Sequence, residues 1–351
     1  MLYTGVDFHK RYSVACTMDA AGARLKEARI VNTPEAIASY FRDLPEVSQV
    51  VMEACWNWGW LYDLLGELEG VEEVVLANPA KTKIIADAQI KTDKIDARAL
   101  CTLLRGHFVA QVHAPNRATR AKKNVLRQRV YLVQLRTRLR NRIPIILDRQ
   151  RSLERPIWAD LFGKKGLHWL RGLNLPEPDG LLLSQCMALH DALNEHVRAL
   201  EASIKEENLG NPMAQRLDSL PGVGPILAAV IATEIEVIDR FRRADKLCAY
   251  AGLAPTTYAS GGHVHHGRLL PFCNRWLRWA FVEAAWTAIG CSPYFGDIYR
   301  RHRARGKKAN IAITIVAHRM CQIAWSLLRE QRDFSQAPPT KSPSPVAPNA
   351  D

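Results

Sequence analysis

The sequence lacks the usual features of a secreted, zinc-binding or membrane protein. Its eight cysteines are scattered and form no Cys-x-x-Cys pair, which argues against a zinc ribbon or a disulfide framework and fits a reducing cytoplasm. No apolar run approaches the roughly 20 residues that span a bilayer. Charged residues interrupt the N-terminus too early for a signal peptide, at Asp7, His9 and Lys10. We therefore expect a cytoplasmic protein with no membrane partner.

Acidic residues are in deficit in a chain of otherwise ordinary composition. Its 351 residues are 48% hydrophobic and 24% charged, as expected for a globular protein of two or three domains. Lys and Arg number 48 against 35 Asp and Glu, which leaves a formal net charge of +13. An excess of this size predicts a polyanionic partner, and the lack of a spanning segment favours nucleic acid over an anionic membrane.

Residues 1–110 predict an α/β domain. The predicted strands cover residues 2–8, 12–18, 24–31, 49–52 and 71–77, and the predicted helices cover residues 34–42, 59–68 and 80–88. Three tightly connected strands, followed by alternating helices and strands, form an α/β order. This is the order of the ribonuclease-H-like fold, but the order alone fits several folds.

Residues 111–210 predict a basic helical connection. Residues 117–155 contain many bases and only two acids, and a seven-residue repeat indicates a helix that Pro144 should kink or end. The repeat consists of Val125, Leu132, Leu139 and Ile146. A second predicted helix, over residues 181–207, has one apolar face made of Leu189, Leu193, Val197, Leu200 and Ile204. The two helices fit either an antiparallel coiled coil, within or between chains, or a helical bundle.

The remaining chain predicts a mainly α C-terminal domain and a tail. Residues 211–330 are mostly helical in pattern. Within them, the glycines of Leu-Pro-Gly-Val-Gly at 220–224 predict either a helix-hairpin-helix that binds phosphate through Gly222 and Gly224 or an ordinary glycine turn. Residues 331–351 contain five prolines and few apolar residues, which indicates disorder.

Four carboxylates in the N-terminal segment have the spacing of a catalytic site. Asp7 lies mid-strand, where a charge is costly unless it binds something, and Glu53 ends an apolar run. Asp93 and Asp96 face the same way if their stretch opens a helix. Such a cluster needs divalent cations, and its hard oxygens favour Mg²⁺ and phosphoryl transfer. Taken singly, these residues also fit a helix cap, a salt bridge and a turn.

Arginines and aromatic residues are candidates for contacts with nucleic acid. The predicted phosphate-binding arginines are Arg136, Arg138, Arg140, Arg268, Arg275, Arg300 and Arg301, and a solvated helix face is the alternative for residues 299–308. Trp56, Trp58 and Trp60 alternate, which indicates a strand end or loop. These indoles form either a stacking surface or part of the core.

Ser260 lies in a stretch, residues 258–262, that predicts a flexible loop. From the residues alone it is a turn residue. Three histidines follow, His263, His265 and His266. No cysteine or carboxylate lies near them in the sequence, so we expect phosphate contact or solvent exposure rather than a metal site.

Several motifs together resemble the insertion-sequence transposases of the "one-ten" family, which are DEDD/serine recombinases guided by a bridge RNA. The N-terminal motifs are Gly-Val-Asp-Phe-His-Lys at 5–10, Glu53 and Lys-Thr-Asp-Lys-Ile-Asp-Ala at 91–97. The C-terminal motifs lie at residues 220–224, 250–255, 260–262, 274–279 and 297–302. The resemblance covers nearly all of the chain except the tail. One departure is Pro271-Phe272-Cys273, where the family usually has a lysine and a glycine.

The resemblance implies a role for each matched residue. Asp7, Glu53, Asp93 and Asp96 would be Mg²⁺ ligands of a RuvC-like domain, and Ser260 would be the nucleophile that attacks a DNA phosphodiester. It further implies a guide RNA, a DNA substrate, a homo-oligomeric synapse of two or four chains and a place in the bacterial nucleoid. Two other functions stay open: a metal-dependent nuclease of branched DNA in which Ser260 is not catalytic, and a non-catalytic nucleic-acid-binding protein.

Overall fold

A computed structural model describes residues 1–85, 92–150, 153–157, 160–260 and 263–335. The chain forms two compact units, Met1–Ala118 and Thr119–Asp351. The first unit ends somewhat later than the predicted boundary at residue 110. Most of the predicted connection, residues 111–210, falls within the second unit. The tail predicted from residue 331 lies outside the described residues from 336 onward.

A five-stranded sheet forms the centre of the first unit. Its strands are β1 (Leu2–Phe8), β2 (Tyr12–Met18), β3 (Arg24–Val31), β4 (Ser48–Glu53) and β5 (Val71–Ala77). The order across the sheet is β3-β2-β1-β4-β5. The first three strands are antiparallel neighbours, whereas β1, β4 and β5 run parallel. The predicted strands and the α/β class are therefore confirmed.

Helices cover both faces of this sheet. They are α1 (Pro34–Arg42), α2 (Trp58–Gly66), α3 (Pro79–Ile85) and α4 (Asp93–Arg105). Side chains of α1 and α2 pack with Val6, Val50 and Met52 on one face, and α4 packs with Val51 and Val75 on the other. The remainder of the helix predicted over residues 80–88 lies outside the described residues.

Helix α4 lies directly on the backbone of β1 at Gly5. A Cβ atom at Gly5 would be 2.2 Å from the carbonyl oxygen of Ala97 and 2.4 Å from the amide nitrogen of Cys101, so only glycine fits. Arg98 of the same helix donates to Glu27 of β3 at 3.0 Å. These contacts fix α4 on the sheet and bring its first turn to the carboxyl end of β1.

The second unit is mainly helical, as predicted. Its long helices are α5 (Arg117–Leu147) and α7 (Asp179–Leu209), with α6 (Lys164–Gly172) between them. The elements that follow are α8 (Pro212–Asp218), α9 (Pro225–Ile235), a 3₁₀ turn (Ile238–Arg240), α10 (Ala244–Tyr250), β6 (Pro255–Ser260), β7 (His263–Leu269), α11 (Arg275–Cys291), α12 (Pro293–Ala304) and α13 (Ala309–Arg329).

Helices α5 and α7 pair antiparallel within one chain. Lys122 forms an ion pair with Glu207 at 2.7 Å near one end, and Arg149 forms one with Asp179 at 3.0 Å near the other. Between them Arg136 donates to Asn194 at 2.8 Å. The predicted pairing within the chain is thus observed.

The structure departs from the prediction in two details of the long helices: α5 does not end at Pro144, and parts of the predicted apolar faces are exposed. Helix α5 continues through Pro144 to Leu147, because Ile143, Ile146 and Leu147 are buried in a cluster with α6 and α7 and stabilise the last turns. The predicted apolar faces are buried only in part: Ile146, Val197 and Ile204 are buried, whereas Val125 and Leu189 are exposed. A strict seven-residue repeat drifts around a straight helix of 3.6 residues per turn, so one end of the repeat in α5 leaves the buried face.

The C-terminal core is built around α9, α11 and α13. Phe281 and Phe295 are fully buried in it. Helix α13 is long and apolar enough to cross a membrane by length and composition, which corrects the expectation that no such run exists. Half of this stretch is buried inside the unit, as is typical of a core helix.

Candidate active site

Asp7 and Glu53 lie at adjacent strand ends on the face covered by α4. In the parallel pairing of β1 and β4, Val6 is opposite Met52, so Asp7 and Glu53 come next at the same level. Side chains alternate along a strand, and Asp7 therefore shares the face of Gly5, on which α4 lies. Burial raises the pKa of the Cys55 thiol, and the charges of Glu53 and Asp7 raise it further, because both carboxylates lie near this thiol.

Asp93 and Asp96 lie in the first turn of α4, as predicted for a stretch that opens a helix. The side chain of Thr92 caps this helix by accepting from the amide of Ile95 at 3.3 Å. With Thr92 as the cap, the two aspartates are free to face the site. The helix N-terminus carries a partial positive charge that favours carboxylates there.

His9 and Tyr12 connect the strand end to the helix end. His9 Nε2 is 3.0 Å from Asp7 Oδ2 and 3.4 Å from Asp93 Oδ2. The hydroxyl of Tyr12 donates to Asp93 Oδ2 at 2.9 Å. Neither residue was given a role in the predicted site, although Asp7 and His9 are two residues apart and side chains at that spacing on an extended chain share a face.

The donor set fits a divalent cation. One ligand atom from each of Asp7, His9 and Asp93 lies within 4.8 Å of the other two. Burial raises the pKa of Asp7, His9 opposes that shift, and the negative charges of Asp96 and Asp93 add to it. Carboxylates that repel one another in a half-buried site are stabilised by a bound cation.

The raised pKa of Asp7 predicts how stability depends on pH. A carboxyl group whose folded-state pKa is raised holds its proton more tightly when folded, so ionised Asp7 weakens folding as pH rises from about 4 through the raised value. We expect Asp7→Asn to increase the melting temperature at pH 7 without divalent cations and to change it little at pH 3. Thermal unfolding at both pH values checks this, and a lower melting temperature for the variant at pH 7 would contradict it.

Ser260 is the last residue of β6, in an antiparallel hairpin with β7 that we call the serine hairpin (residues 255–269). It is paired with His263. The expected flexible loop is therefore wrong for residues 258–260, which are strand. The β-branched and aromatic side chains of Thr257 and Tyr258 favour a strand, and cross-strand pairing completes it. Gly261 and Gly262 lie outside the described residues.

The two glycines of the predicted helix-hairpin-helix have different surroundings. Gly222 has a φ of +87°, and a Cβ atom there would be 2.3 Å from the carbonyl oxygen of Ala284. Its role in the structure is close packing of the α8–α9 turn on α11. Gly224 precedes the first turn of α9, and apart from its chain neighbours no atom lies within 4 Å of the place that a Cβ would take there.

The predicted phosphate-binding arginines divide into two groups. Arg136 bonds Asn194, and Arg140 bonds His190 at 3.2 Å, so both face α7. Burial and neighbouring arginines lower the pKa of Arg136. The exposed members are Arg138, Arg268, Arg275, Arg300 and Arg301. Asp297 pairs with Arg300, and the carbonyl oxygen of Asp297 accepts from Arg301 at 3.3 Å.

The three alternating tryptophans do not form one surface. Trp58 and Trp60 belong to helix α2, so a strand or loop is the wrong assignment for them. The ring of Trp58 packs edge-on against Tyr62, and that of Trp60 lies 6.3 Å from Phe8. Trp56 precedes the helix and is 72% exposed.

Comparison with known proteins identifies related transposases over both units. Residues 4–150 match a DEDD transposase family model, and residues 214–300 match the model described as "Transposase IS116/IS110/IS902 family". A probable family 20 transposase of Pseudomonas aeruginosa is 25% identical over 332 residues, which is 93% of each chain.

Two relatives from insertion elements match more closely over a shorter stretch. A protein of insertion element IS116 from Streptomyces clavuligerus is 31% identical over 42% of this chain and 37% of its own length. A protein of insertion element IS110 from Streptomyces coelicolor is 35% identical over 40% of this chain and 34% of its own length. These alignments thus span about a third of each relative, whereas the Pseudomonas protein is matched nearly end to end. The chain belongs to the IS116/IS110/IS902 family of transposases.

Proposed function

We propose that this chain is an insertion-sequence recombinase that cleaves and exchanges DNA strands through Ser260, assisted by a Mg²⁺ site on its N-terminal unit. The observation that carries the proposal is the convergence of Asp7, His9 and Asp93 at the end of β1. The transposase relatives on both units support it.

The sheet order supports a ribonuclease-H-like, or RuvC-like, identity for the first unit. Three antiparallel strands come first in the chain, and two parallel strands extend the sheet from β1. In this arrangement the first strand is central, and its carboxyl end lies beside the carboxyl end of β4 and the first turn of α4. Carboxylates from three separate elements, β1, β4 and α4, can then act on one phosphate.

Asp7 and Asp93 are the first ligands that we assign to the cation, with Glu53 and Asp96 completing the set. A bound Mg²⁺ would polarise the scissile phosphate and neutralise its developing charge. The chain's own groups prepare the site. The first turn of α4 keeps Asp93 and Asp96 on one side, and Tyr12 orients Asp93 by its hydrogen bond.

Ser260 provides the covalent step. Its Oγ attacks the phosphorus, the bond from phosphorus to the 3′ oxygen breaks, and the leaving oxygen takes up a proton to become a 3′ hydroxyl. The hydroxyl of the partner strand then attacks the phosphoserine, and the serine oxygen regains a proton as it leaves. One phosphoester replaces another at each step, so the exchange needs no ATP.

We propose DNA as the substrate, a guide RNA as the partner that selects it, and a homo-oligomeric synapse as the working assembly in the bacterial cytoplasm. The excess of basic residues supports a polyanionic partner. The exposed arginines on α5 and α12 supply candidate contacts, and the turn at Gly224 supports a further phosphate contact of the helix-hairpin-helix kind. RNA guidance rests on the family resemblance.

Asp93→Asn tests the proposed metal site. The change removes a ligand charge but little volume, and we expect strand cleavage to fall by more than about 100-fold, beyond the loss typical of outer-shell changes. The melting temperature gain from added Mg²⁺ should fall as well. Asp43→Asn, at the exposed end of α1, is the matched control and should cleave normally. Wild-type cleavage by Asp93→Asn would exclude Asp93 as a ligand.

Arginine replacements on α5 test nucleic-acid binding. Arg138→Ala should weaken binding to an RNA or DNA duplex and reduce the slope of log affinity against log salt by about 1, with an unchanged melting temperature. Arg136→Ala should instead lower the melting temperature, because it breaks the bond to Asn194. Fluorescence anisotropy over a salt series gives both slopes. An unchanged slope for Arg138→Ala would remove it from the binding surface.

A further inference from the structure

We infer that Glu234 is the positioning residue of the serine hairpin and ties the base of that hairpin to the basic helix α5. The inference rests on the proposed role of Ser260. Nothing in the reaction itself needs Glu234, yet a network of polar contacts is built around its side chain inside an otherwise apolar core.

Glu234 is a buried carboxylate with three partners. It lies on α9, where every side chain from Ala228 to Ile235 is buried. Lys123 Nζ is 2.9 Å from one oxygen and Arg127 Nη2 is 3.2 Å from the other. The amide of Asn274 donates to it at 2.8 Å. A buried charge persists only when it is paired and hydrogen-bonded in this way.

Both ends of the serine hairpin meet at Asn274. The chain enters the hairpin from Tyr250, the last residue of α10, and leaves it through Asn274, just before α11. The backbone amide of Asn274 donates to the carbonyl oxygen of Tyr250 at 2.7 Å. One step further in, the amide of Leu270 donates to the carbonyl oxygen of Ala254 at 3.2 Å. Asn274 therefore closes the base of the hairpin.

Asn274 uses its two side-chain atoms for different purposes. Its Oδ1 accepts from the amides of Trp276 and Leu277, both at 3.0 Å, and so caps α11. Its Nδ2 donates to Glu234 at 2.8 Å and, at the longer distance of 3.3 Å, to the hydroxyl of Tyr250. The cap fixes which way the side chain points, so the bond to Glu234 sets the position of the hairpin base relative to α9.

The carboxylate of Glu234 also forms ion pairs with Lys123 and Arg127 of helix α5. Lys123 is as buried as Glu234, and the guanidinium of Arg127 lies 5.4 Å from the ring centre of Trp276 in the first turn of α11. Helix α5 also carries the exposed Arg138 on its outer side. The carboxylate of Glu234 thus joins the basic helix α5 to the base of the serine hairpin.

Asn274→Ser tests this link. Serine caps a helix as well as asparagine does but lacks the donor that reaches Glu234. Asn211→Ser is the matched control, since Asn211 caps α8 with the same pair of bonds, to Met213 and Ala214. Hydrogen exchange of the full chain is the readout. We expect the backbone amide hydrogens of the serine hairpin to exchange with solvent at least 10-fold faster in Asn274→Ser. The rate of DNA strand exchange should fall at least 10-fold, with nucleic-acid affinity unchanged.

Two double variants separate positioning from general destabilisation. Lys123→Met with Glu234→Gln removes both charges but keeps an acceptor for Asn274, and should preserve hairpin protection. Lys123→Met with Glu234→Leu removes the acceptor and should lose it. Equal hairpin exchange in Asn274→Ser and Asn211→Ser would overturn the inference. Normal recombination by a Ser260 variant would overturn the proposed function instead, and the exchange result would stand.

Discussion

Ser260→Ala is expected to abolish recombination, by more than about 1,000-fold, and to eliminate any protein–DNA adduct that resists denaturation. The reason is that, in the proposed mechanism, the serine oxygen forms the phosphoester that conserves the bond energy of the cleaved strand. Stability should change by no more than about 1 kcal/mol, the usual contribution of one hydroxyl hydrogen bond. The assay is denaturing electrophoresis of the enzyme with labelled element-end DNA, together with recombinant product yield.

Thr256→Val is the control for this experiment. It removes a hydroxyl from the same strand, one that donates to the carbonyl oxygen of Arg268 at 3.0 Å, and should recombine within a few-fold of the wild type. If Ser260→Ala recombines normally, or if the wild type cuts DNA to free ends without an adduct, the metal-dependent nuclease becomes the better description. Loss of cutting in Asp93→Asn, in contrast, is common to both enzymes and excludes only a non-catalytic binding protein.

Gly5→Ala should have the largest effect of any single methyl group added to the N-terminal unit. The new Cβ would lie within 2.4 Å of two backbone atoms of α4, and backbone cannot move aside as a flexible side chain does. We expect a loss of at least about 3 kcal/mol in the free energy of unfolding, at the upper end of overpacking effects. Where the variant still folds, α4 must shift, and the Mg²⁺-dependent gain in melting temperature should disappear.

Gly66→Ala provides the comparison for Gly5→Ala. Gly66 ends α2, and no atom lies within 4 Å of the position of an added Cβ. This change should be neutral or stabilise the unit by about 0.4–1 kcal/mol, because alanine restricts the unfolded chain. Urea unfolding of both variants checks the pair. Equal stability of Gly5→Ala and wild type would show that α4 does not rest on β1 as described.

Local patterns predicted the sheet well and the long helices less well. Strand predictions such as those for residues 2–8 and 71–77 succeeded because alternation and apolar runs reflect burial on a sheet. Of the two outcomes expected at Pro144, a kink or an end of the helix, the end does not occur, since tertiary packing around Ile146 outweighs one lost backbone hydrogen bond. The buried face of α5 could not be derived from a repeat, because basic side chains such as Lys123 are also buried there.

The parts of the candidate site that could be predicted are the residues whose placement follows from their position at the end of a strand or the start of a helix. Asp7 and Asp93 follow from rules about strand ends and helix starts, and both lie in the cluster. His9, Tyr12 and the need for glycine at position 5 were missed. His9 was signalled by its spacing from Asp7, whereas the roles of Tyr12 and Gly5 depend on contact with α4, about 80 to 90 residues further along the chain, and such a contact leaves no trace in local spacing. The close packing of Gly222 on α11 could not be predicted for the same reason.

Helices α5 and α7 pair antiparallel, so the length of the pair sets the distance between its tips, where α5 ends and α7 begins, and the C-terminal core. Lys122 lies opposite Glu207 and Arg136 opposite Asn194, so partners stay matched when equal lengths are removed from both helices. Each seven paired residues correspond to about 10 Å of rise and nearly two turns. Shortening both helices by residues 132–138 and 192–198 would draw the tips inward by that length and leave the same faces in contact. The helix pair is therefore a spacer, and its length changes in steps of whole helical turns.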